Sequence, residues 1–203
     1  MKVIISPDSF KGTMSSVDAA ETIEKGLKQL SETIETVCLP VADGGEGTLE
    51  ALVAATNGKY IESTVCDPIG RKIQARYGVL GDGKTCVIEM AQASGITLLS
   101  ADERNPLRAT TYGTGQLIDH ALDQGYRHFI VGIGGSATND AGLGMLHALG
   151  VKFLDEALKP LPIEVSSLEK LNTIDTSEMN ELISQSHFTI ACDVDNPLVG
   201  ERG

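Results

Sequence analysis

The feature that most constrains the fold is a glycine-rich stretch, VGIGGSATNDAG, from Val131 to Gly142. An apolar run from Phe129 leads into it, as in a buried strand, and leucines recur at helical spacing from Leu143 onward. Glycines at such a turn let a ligand approach the backbone, and the first N–H groups of the helix can bind an anion. The stretch therefore predicts an α/β protein with a ligand site at this turn. The alternative is a plain strand-to-helix turn that is capped by Asp140.

The composition argues against several classes of partner. The net charge of −12 disfavours a protein that binds nucleic acid or an anionic membrane surface. The four cysteines are scattered in or beside apolar runs without a C-x-x-C pair, which favours free thiols over disulfides or zinc. The sequence contains no signal peptide and no apolar run of membrane length, so we expect a cytoplasmic protein.

Four polar loops follow apolar strands, and ligands bind at the carboxyl ends of strands in open α/β sheets. The loops comprise residues 6–13, 41–48, 132–140 and 193–197. Their candidate binding or catalytic residues are Asp8, Ser9 and Lys11 in the first, Asp43 and Glu46 in the second, Gly134, Gly135, Ser136, Thr138 and Asn139 in the third, and Asp193 and Asn196 in the fourth. Carboxylates beside glycines make sense if magnesium bridges them to a phosphate, although a capped turn explains the second loop nearly as well.

The middle of the chain has a different character. The pattern predicts three strands, separated by sequences typical of turns, and therefore a β-rich segment. The strands are expected at residues 59–65, 72–80 and 84–90. Arg104 and Arg108 follow this segment. The forked guanidinium suits carboxylates and phosphates, although such a pair is more often engaged in surface salt bridges.

Two mechanisms fit these residues. Gly132-x-Gly134-x-x-Ala137, with Asp155 about twenty residues further on, satisfies the fingerprint of an NAD(P)-binding oxidoreductase. Phosphoryl transfer instead needs cations, carboxylates for magnesium and a base, which the acidic loops supply without a P-loop motif. A non-catalytic binding module would not need so many acids beside glycines.

Together these motifs resemble the bacterial glycerate kinases of the type I family, in the family's order and over nearly the whole chain. The matching stretches are Pro7–Gly12, Pro40–Thr48, Ile88–Ala91, Ala93–Gly95, Arg104–Leu107, Tyr112–Gly115, Gly132–Asp140 and Cys192–Leu198. The resemblance implies magnesium-dependent transfer of the ATP γ-phosphate to D-glycerate. Mainly 2-phosphoglycerate is expected as the product, with 3-phosphoglycerate as the alternative.

The resemblance also implies the architecture. We expect a parallel-sheet, Rossmann-like or flavodoxin-like α/β domain, begun by residues 1–63, with the active site in a cleft beside a second α/β domain, residues 64–203. The second domain would contain the β-rich segment 60–95. Alternatively, residues 1–59 and 110–203 form one sheet into which residues 60–109 are inserted. The turn-like run 198–203 has no closing helix, so we expect the chain to be part of a longer protein, which could be a homodimer.

Residue roles follow as hypotheses. Lys11 would stabilise the charge on the transferring phosphate, and Asp43 and Glu46 would place magnesium. Asp193 is the first candidate for the base, because it follows a strand expected to be buried; Asp8 is the rival. The remaining candidates would bind glycerate or a phosphate: Ser9, Gly134, Gly135, Ser136, Thr138, Asn139, Arg104 and Asn196.

Overall fold

The structure is a computed structural model that describes residues 1–10, 13–42, 44–195 and 197–201. These residues form nine strands and five α-helices, together with short 3₁₀ turns. The strands are β1 (Lys2–Ile5), β2 (Glu35–Cys38), β3 (Lys59–Cys66), β4 (Lys72–Val79), β5 (Thr85–Glu89), β6 (His128–Gly132), β7 (Lys152–Leu154), β8 (Thr173–Asp175) and β9 (His187–Ala191). The helices are α1 (Ser16–Leu30), α2 (Thr48–Thr56), α3 (Ala91–Ser94), α4 (Tyr112–Asp123) and α5 (Leu143–Ala148).

Five strands form the central sheet, in the order β3-β4-β5-β6-β9. The β3, β4 and β5 strands are antiparallel to one another, whereas β5, β6 and β9 run parallel. The predicted β-rich segment therefore supplies three of the five strands, and β6 and β9, which precede the third and fourth polar loops, supply the other two. The sheet is mixed, not wholly parallel as a Rossmann-like sheet would be, because strands joined by tight turns pair antiparallel.

The β1 and β2 strands pair in parallel as a separate two-stranded sheet, from Lys2 opposite Glu35 to Ile5 opposite Cys38. The α1 helix packs against both strands. In the central sheet, β6 lies between β5 and β9. This pairing differs from the alternative in which residues 1–59 and 110–203 share one sheet, since β5 comes from the supposed insertion. The division of the chain near residue 63 into two domains stays a prediction.

Helices cover both faces of the central sheet. Successive residues of a strand point to opposite faces. In β5, Cys86 and Ile88 pack in the cluster that contains the α4 side chains, whereas Val87 packs with α2 on the other face. All three residues are fully buried. Burial on both faces explains why this strand reads as an unbroken apolar run.

The β9 strand is less buried than its apolar sequence predicts. Thr189 is exposed, and Ile190 keeps 54% of its surface accessible. Phe188 stacks on Phe129, with ring centroids 4.7 Å apart. Among the described residues β9 pairs with β6 alone, so it is an edge strand here. The expectation of a buried strand over 189–192 was wrong because apolar residues indicate a strand without showing how many neighbours it has.

No helix in the described part of the chain is long and apolar enough to cross a membrane. The four cysteines are free thiols, as the sequence predicted. Cys86 is buried in the main core and Cys192 is exposed, whereas Cys38 and Cys66 are partly buried.

Candidate functional site

Backbone hydrogen bonds join three of the predicted loops. The N–H of Val41 donates to the carbonyl of Pro7 at 3.1 Å, which joins the first loop to the second. The N–H of Gly134 donates to the carbonyl of Gly44 at 3.1 Å, which joins the second loop to the third. Loops that are distant in sequence therefore form one continuous surface at the carboxyl ends of β1, β2 and β6.

Glycines allow these loops to touch at backbone distance. A Cβ atom on Gly134 would lie 2.5 Å from the Cα of Gly45, and one on Gly132 would lie 2.7 Å from the carbonyl oxygen of Gly44. Gly44, at φ +92°, lies close to the end of β9. A Cβ atom on Gly44 would lie 2.6 Å from the carbonyl oxygen of Ala191. Only residues without side chains permit such contacts, so glycine is required where the second loop, the third loop and the end of β9 meet.

The carboxylate of Asp140 is buried and is hydrogen-bonded by the protein itself. It accepts from the N–H groups of Gly142 and Gly144, each at 3.1 Å, and from the N–H of Thr111 at 2.8 Å. The Thr111 hydroxyl also donates to it, at 2.9 Å. The N-cap residue of α5 is Gly142 and not Asp140, as the capped-turn alternative had it, although the Asp140 carboxylate does accept from N–H groups at the start of this helix. The expectation that N–H groups of this helix bind an anion was wrong, because Asp140 occupies those of Gly142 and Gly144.

The third loop nevertheless offers free polar groups. The side chains of Ser136, Thr138 and Asn139 hydrogen-bond to no described residue, and they line a cavity of about 550 Å³ between α4, α5 and β9. The rest of the wall is largely apolar and includes Ile118, Val131, Met145, Leu149, Ile183 and Phe188. An apolar volume with a few convergent polar groups is the usual form of a small-molecule site.

Asp8 in the first loop and Glu46 in the second are exposed. The Asp8 carboxylate accepts a hydrogen bond from the N–H of Ser9 at 2.6 Å. Glu46 lies just before α2 and forms no ion pair with a described residue. The described residues contain no cluster of three acidic, histidine or cysteine side chains that could hold a metal ion. Isolated carboxylates still fit magnesium, which proteins commonly hold through one or two carboxylates together with substrate phosphates.

Asp193 lies two residues beyond the end of β9. It is exposed and makes no hydrogen bond or ion pair within the described residues. The rigid support expected from a buried strand is therefore weaker than predicted, since β9 pairs on one side only within the described residues. The position is still close to the second loop, because Gly44 packs against the carbonyl of Ala191.

The remaining predicted site residues are Arg104 and three residues that the structure does not describe. Lys11, Asp43 and Asn196 lie outside the described residues, and their roles stay predictions. Arg104 is exposed, and no hydrogen bond joins it to a loop of the site in the described part of the chain. A different arginine, Arg71, forms the ion pairs in this region: it binds Asp67 at 2.5 Å and Glu103 at 2.7 Å.

Glu89 is a buried carboxylate beneath the second loop, and the sequence suggested no role for it. It ends β5 and is 1% exposed. One carboxylate oxygen accepts from the N–H of Leu49 at 3.1 Å, and the other accepts from the N–H of Gly47 at 3.4 Å. Burial raises the pKa of Glu89, although these two hydrogen bonds act to lower it. The sequence signal that could have indicated a role for Glu89 is its position as an acidic residue directly after the apolar run Cys86–Ile88.

The structure does not support the dinucleotide alternative. The fingerprint requires a helix that starts within the glycine turn, whereas α5 begins only at Leu143. Asp155 follows β7, which pairs antiparallel with β8 outside the central sheet. Its carboxylate accepts from the N–H groups of Ala157 and Lys159, each at 2.9 Å. Asp155 is therefore a turn residue, not an acid placed beside a ribose.

Comparison with known proteins identifies the family. The model of the glycerate kinase family matches residues 3–203. The chain is 50% identical to a glycerate kinase of Haemophilus influenzae and 47% identical to glycerate 2-kinase of Escherichia coli, in each case over all 203 residues. It covers 54% and 53% of these two relatives, so it spans about half of their length.

The fold agrees with that of a solved structure, a Salmonella typhimurium LT2 protein assigned as glycerate kinase 2. The TM-score is 0.90 at 45% sequence identity, and the match covers 100% of this chain and 54% of the other. The α/β arrangement derived from the residues is therefore shared with this protein. A family match over almost every residue, together with this shared fold, shows that the chain belongs to the glycerate kinase family.

Proposed function

We propose that the protein containing this chain is a glycerate kinase, which transfers the γ-phosphate of ATP to a hydroxyl of D-glycerate. The observation that carries the proposal is the meeting of three motif-bearing loops through the Pro7–Val41 and Gly44–Gly134 backbone hydrogen bonds. Phosphoryl transfer depends mainly on such positioning of charged and polar groups. Relatives named glycerate kinase support the substrate. Because the chain spans about half of their length, the activity is assigned to the full-length protein.

The proposed product is 2-phosphoglycerate. The relative from Escherichia coli is named glycerate 2-kinase and is 47% identical over the whole chain, which favours transfer to the 2-hydroxyl. Transfer to the 3-hydroxyl, giving 3-phosphoglycerate, is the alternative outcome.

Asp193 is proposed as the base. It would take the proton of the acceptor hydroxyl while that oxygen forms a bond to the γ-phosphorus. The bond from this phosphorus to the bridging oxygen breaks, and ADP leaves with the electron pair. The exposed position of Asp193 and its lack of a partner among the described residues leave its carboxylate available. Asp8, also exposed, is the rival base.

Charge in the reaction would be balanced by the first two loops. Lys11 is proposed to stabilise the transferring phosphate. Asp43 and Glu46 are proposed to hold magnesium, which when bound neutralises charge on the ATP phosphates. Glu46 is exposed and forms no ion pair with a residue in the described part of the chain, which supports this assignment.

The third loop is proposed to bind the substrate. The free side chains of Ser136, Thr138 and Asn139 would donate hydrogen bonds to the glycerate carboxylate or to a phosphate. Gly134 and Gly135 would allow the ligand to approach the backbone. Further contacts to the substrate or a phosphate would come from Ser9, Arg104 and Asn196. The site would lie in a cleft between two α/β domains of the full-length protein, which could associate as a homodimer.

The test is an assay of the full-length protein with ATP, magnesium and D-glycerate. We expect release of ADP that depends on both glycerate and magnesium. Adding enolase alone then separates the products, because enolase consumes 2-phosphoglycerate directly and 3-phosphoglycerate only after isomerisation. ADP release that does not depend on glycerate would refute the proposed substrate.

A further inference from the structure

Within the second loop, the segment Gly44–Gly47 is held by hydrogen bonds at both of its ends. The N–H of Gly44 donates to the hydroxyl of Thr48 at 3.1 Å, and its carbonyl accepts from Gly134 at 3.1 Å. At the other end of the loop, the Glu89 carboxylate accepts from Gly47 at 3.4 Å and from Leu49 at 3.1 Å. Glu89 belongs to the middle strand of the central sheet, so it ties this loop to the most buried part of the fold.

An ionised carboxylate at the position of Glu89 is energetically unfavourable for the folded protein. Glu89 is 1% exposed, and no described lysine or arginine forms an ion pair with it. Burying a charge without a counter-ion is unfavourable. Glu46 and Glu50 add repulsion, so burial first and these neighbours second raise the pKa of Glu89. Its stabilising partners are two N–H groups at the positive end of the α2 dipole.

The two hydrogen bonds need this particular side chain. Each oxygen of the carboxylate accepts one N–H group, so both acceptors are used. A glutamine has one acceptor oxygen and would turn its NH₂ group toward the second N–H donor. An aspartate is shorter by one methylene and would withdraw from both donors.

We propose that Glu89 is a positioning residue that fixes the Gly44–Gly47 loop, and with it Glu46, in the orientation that binds magnesium–ATP. This role rests on the proposed function, because it takes the second loop to be the magnesium-binding loop. Glu89 acts through the backbone of Gly47 and Leu49. Outer residues that orient metal ligands in this way typically change metal affinity by about 10–100-fold when they are replaced.

The experiment replaces Glu89→Gln in the full-length protein and measures three quantities. The first is amide hydrogen exchange at Gly47 and Leu49, which we expect to become faster than in the wild type. The second is the magnesium concentration at half-maximal rate, which should rise by roughly tenfold or more. The third is KM for D-glycerate, which should stay within about twofold because the third loop keeps its contacts.

Glu50→Gln is the matched control. It removes a carboxylate from α2, but the Glu50 side chain pairs with Arg76 at 2.5 Å. We expect wild-type exchange and magnesium dependence from it. Glu89→Asp keeps the charge and shortens the side chain, and it should reproduce both changes. It also serves as the test variant if Glu89→Gln does not fold.

The outcomes separate the positioning role from the proposed function. Unchanged exchange at Gly47 and Leu49 would overturn the positioning role, whatever the activity. Faster exchange with an unchanged magnesium requirement would overturn it as well, since Glu89 would then have a structural role alone. A wild-type protein without magnesium-dependent phosphorylation of glycerate would instead refute the proposed function and, with it, the role of Glu89 toward magnesium.

Discussion

The N–H of Gly134 donates a hydrogen bond to the carbonyl of Gly44, 3.1 Å away, across ninety positions of sequence. This contact brings the loop that carries Glu46 against the loop that carries Ser136, Thr138 and Asn139. It requires two loops without side chains at the point of contact. The contact places the loop of the proposed metal-binding group next to the loop of the proposed substrate-binding groups.

Replacement of Gly134 by alanine tests this contact. The added Cβ atom would lie 2.5 Å from the Cα of Gly45, so the two loops must separate. We expect kcat/KM for D-glycerate to fall by roughly tenfold or more, with a stability loss of about 1–3 kcal/mol. Steady-state kinetics and thermal unfolding of the full-length protein measure both effects.

Gly26→Ala is the control for that variant. Gly26 lies in α1, and a Cβ atom there would meet no heavy atom within 4 Å. It should leave the kinetics unchanged and add about 0.5–1 kcal/mol of stability. Equal kinetic parameters for the wild type and Gly134→Ala would show that the loop contact does not matter for the reaction.

The identity of the base is tested by Asp193→Asn and Asp8→Asn, which remove one exposed carboxylate each. We expect Asp193→Asn to lower kcat by about 10²–10⁴-fold, because an amide cannot accept the hydroxyl proton. The unfolding temperature should hardly change, since Asp193 makes no contact that stabilises the described fold. A larger loss of kcat in Asp8→Asn than in Asp193→Asn would transfer the role to Asp8.

Asp140 is predicted to matter for stability. In Asp140→Asn the amide turns an NH₂ group toward N–H donors, which breaks part of the network with Thr111, Gly142 and Gly144. We expect a loss of about 2–4 kcal/mol in the free energy of unfolding, measured by denaturant titration. Asp155→Asn changes an acid in a peripheral turn and should cost less than about 1 kcal/mol. Similar losses in the two variants would contradict the structural role of Asp140.

We expect the stability of the protein to depend on pH through Asp82, in the turn between β4 and β5. The Thr85 hydroxyl, then the N–H groups of Thr85 and Lys84, lower the pKa of Asp82 from 3.8 to about 2. A lowered pKa in the folded state means that the contribution of Asp82 to stability is complete above about pH 4. It is lost as the pH falls from 3.8 toward 2.

Carboxyl NMR titration checks this value directly. Thr85→Val removes the largest cause of the shift, so the pKa of Asp82 should move back toward 3.8. An Asp82 carboxyl that titrates near 3.8 in the wild type would show that these hydrogen bonds do not form in solution.

Local patterns predicted much of the fold. The apolar run before the glycine-rich stretch is β6, and the helical spacing from Leu143 is α5. Ser15 is the N-cap of α1, and its hydroxyl oxygen accepts from the N–H of Asp18, which is a contact between near neighbours in the sequence. These features depend on neighbours along the chain, so a single sequence is enough to predict them.

Predictions for single residues were less successful where the outcome depended on distant contacts. The sequence allowed Asp140 to be interpreted as a helix cap. The structure shows in addition that its carboxylate accepts a hydrogen bond from the N–H of Thr111, almost thirty positions away. Glu89 had no assigned role, because its partners, Gly47 and Leu49, lie some forty positions earlier. The burial predicted for β9 was wrong because periodicity does not show which strands pair on each side.

A single sequence was enough to predict the strands that precede the polar loops, the three strands of the β-rich segment, the helix after the glycine-rich stretch, and the family to which the chain belongs. These follow from local backbone preferences and from motifs in a specific order. Tertiary packing settled which loops touch, which N–H groups Asp140 occupies, and that Glu89 reaches the start of α2. The physical reason is that a hydrogen bond between distant residues depends on the packing of whole strands and helices, which no short stretch of sequence specifies.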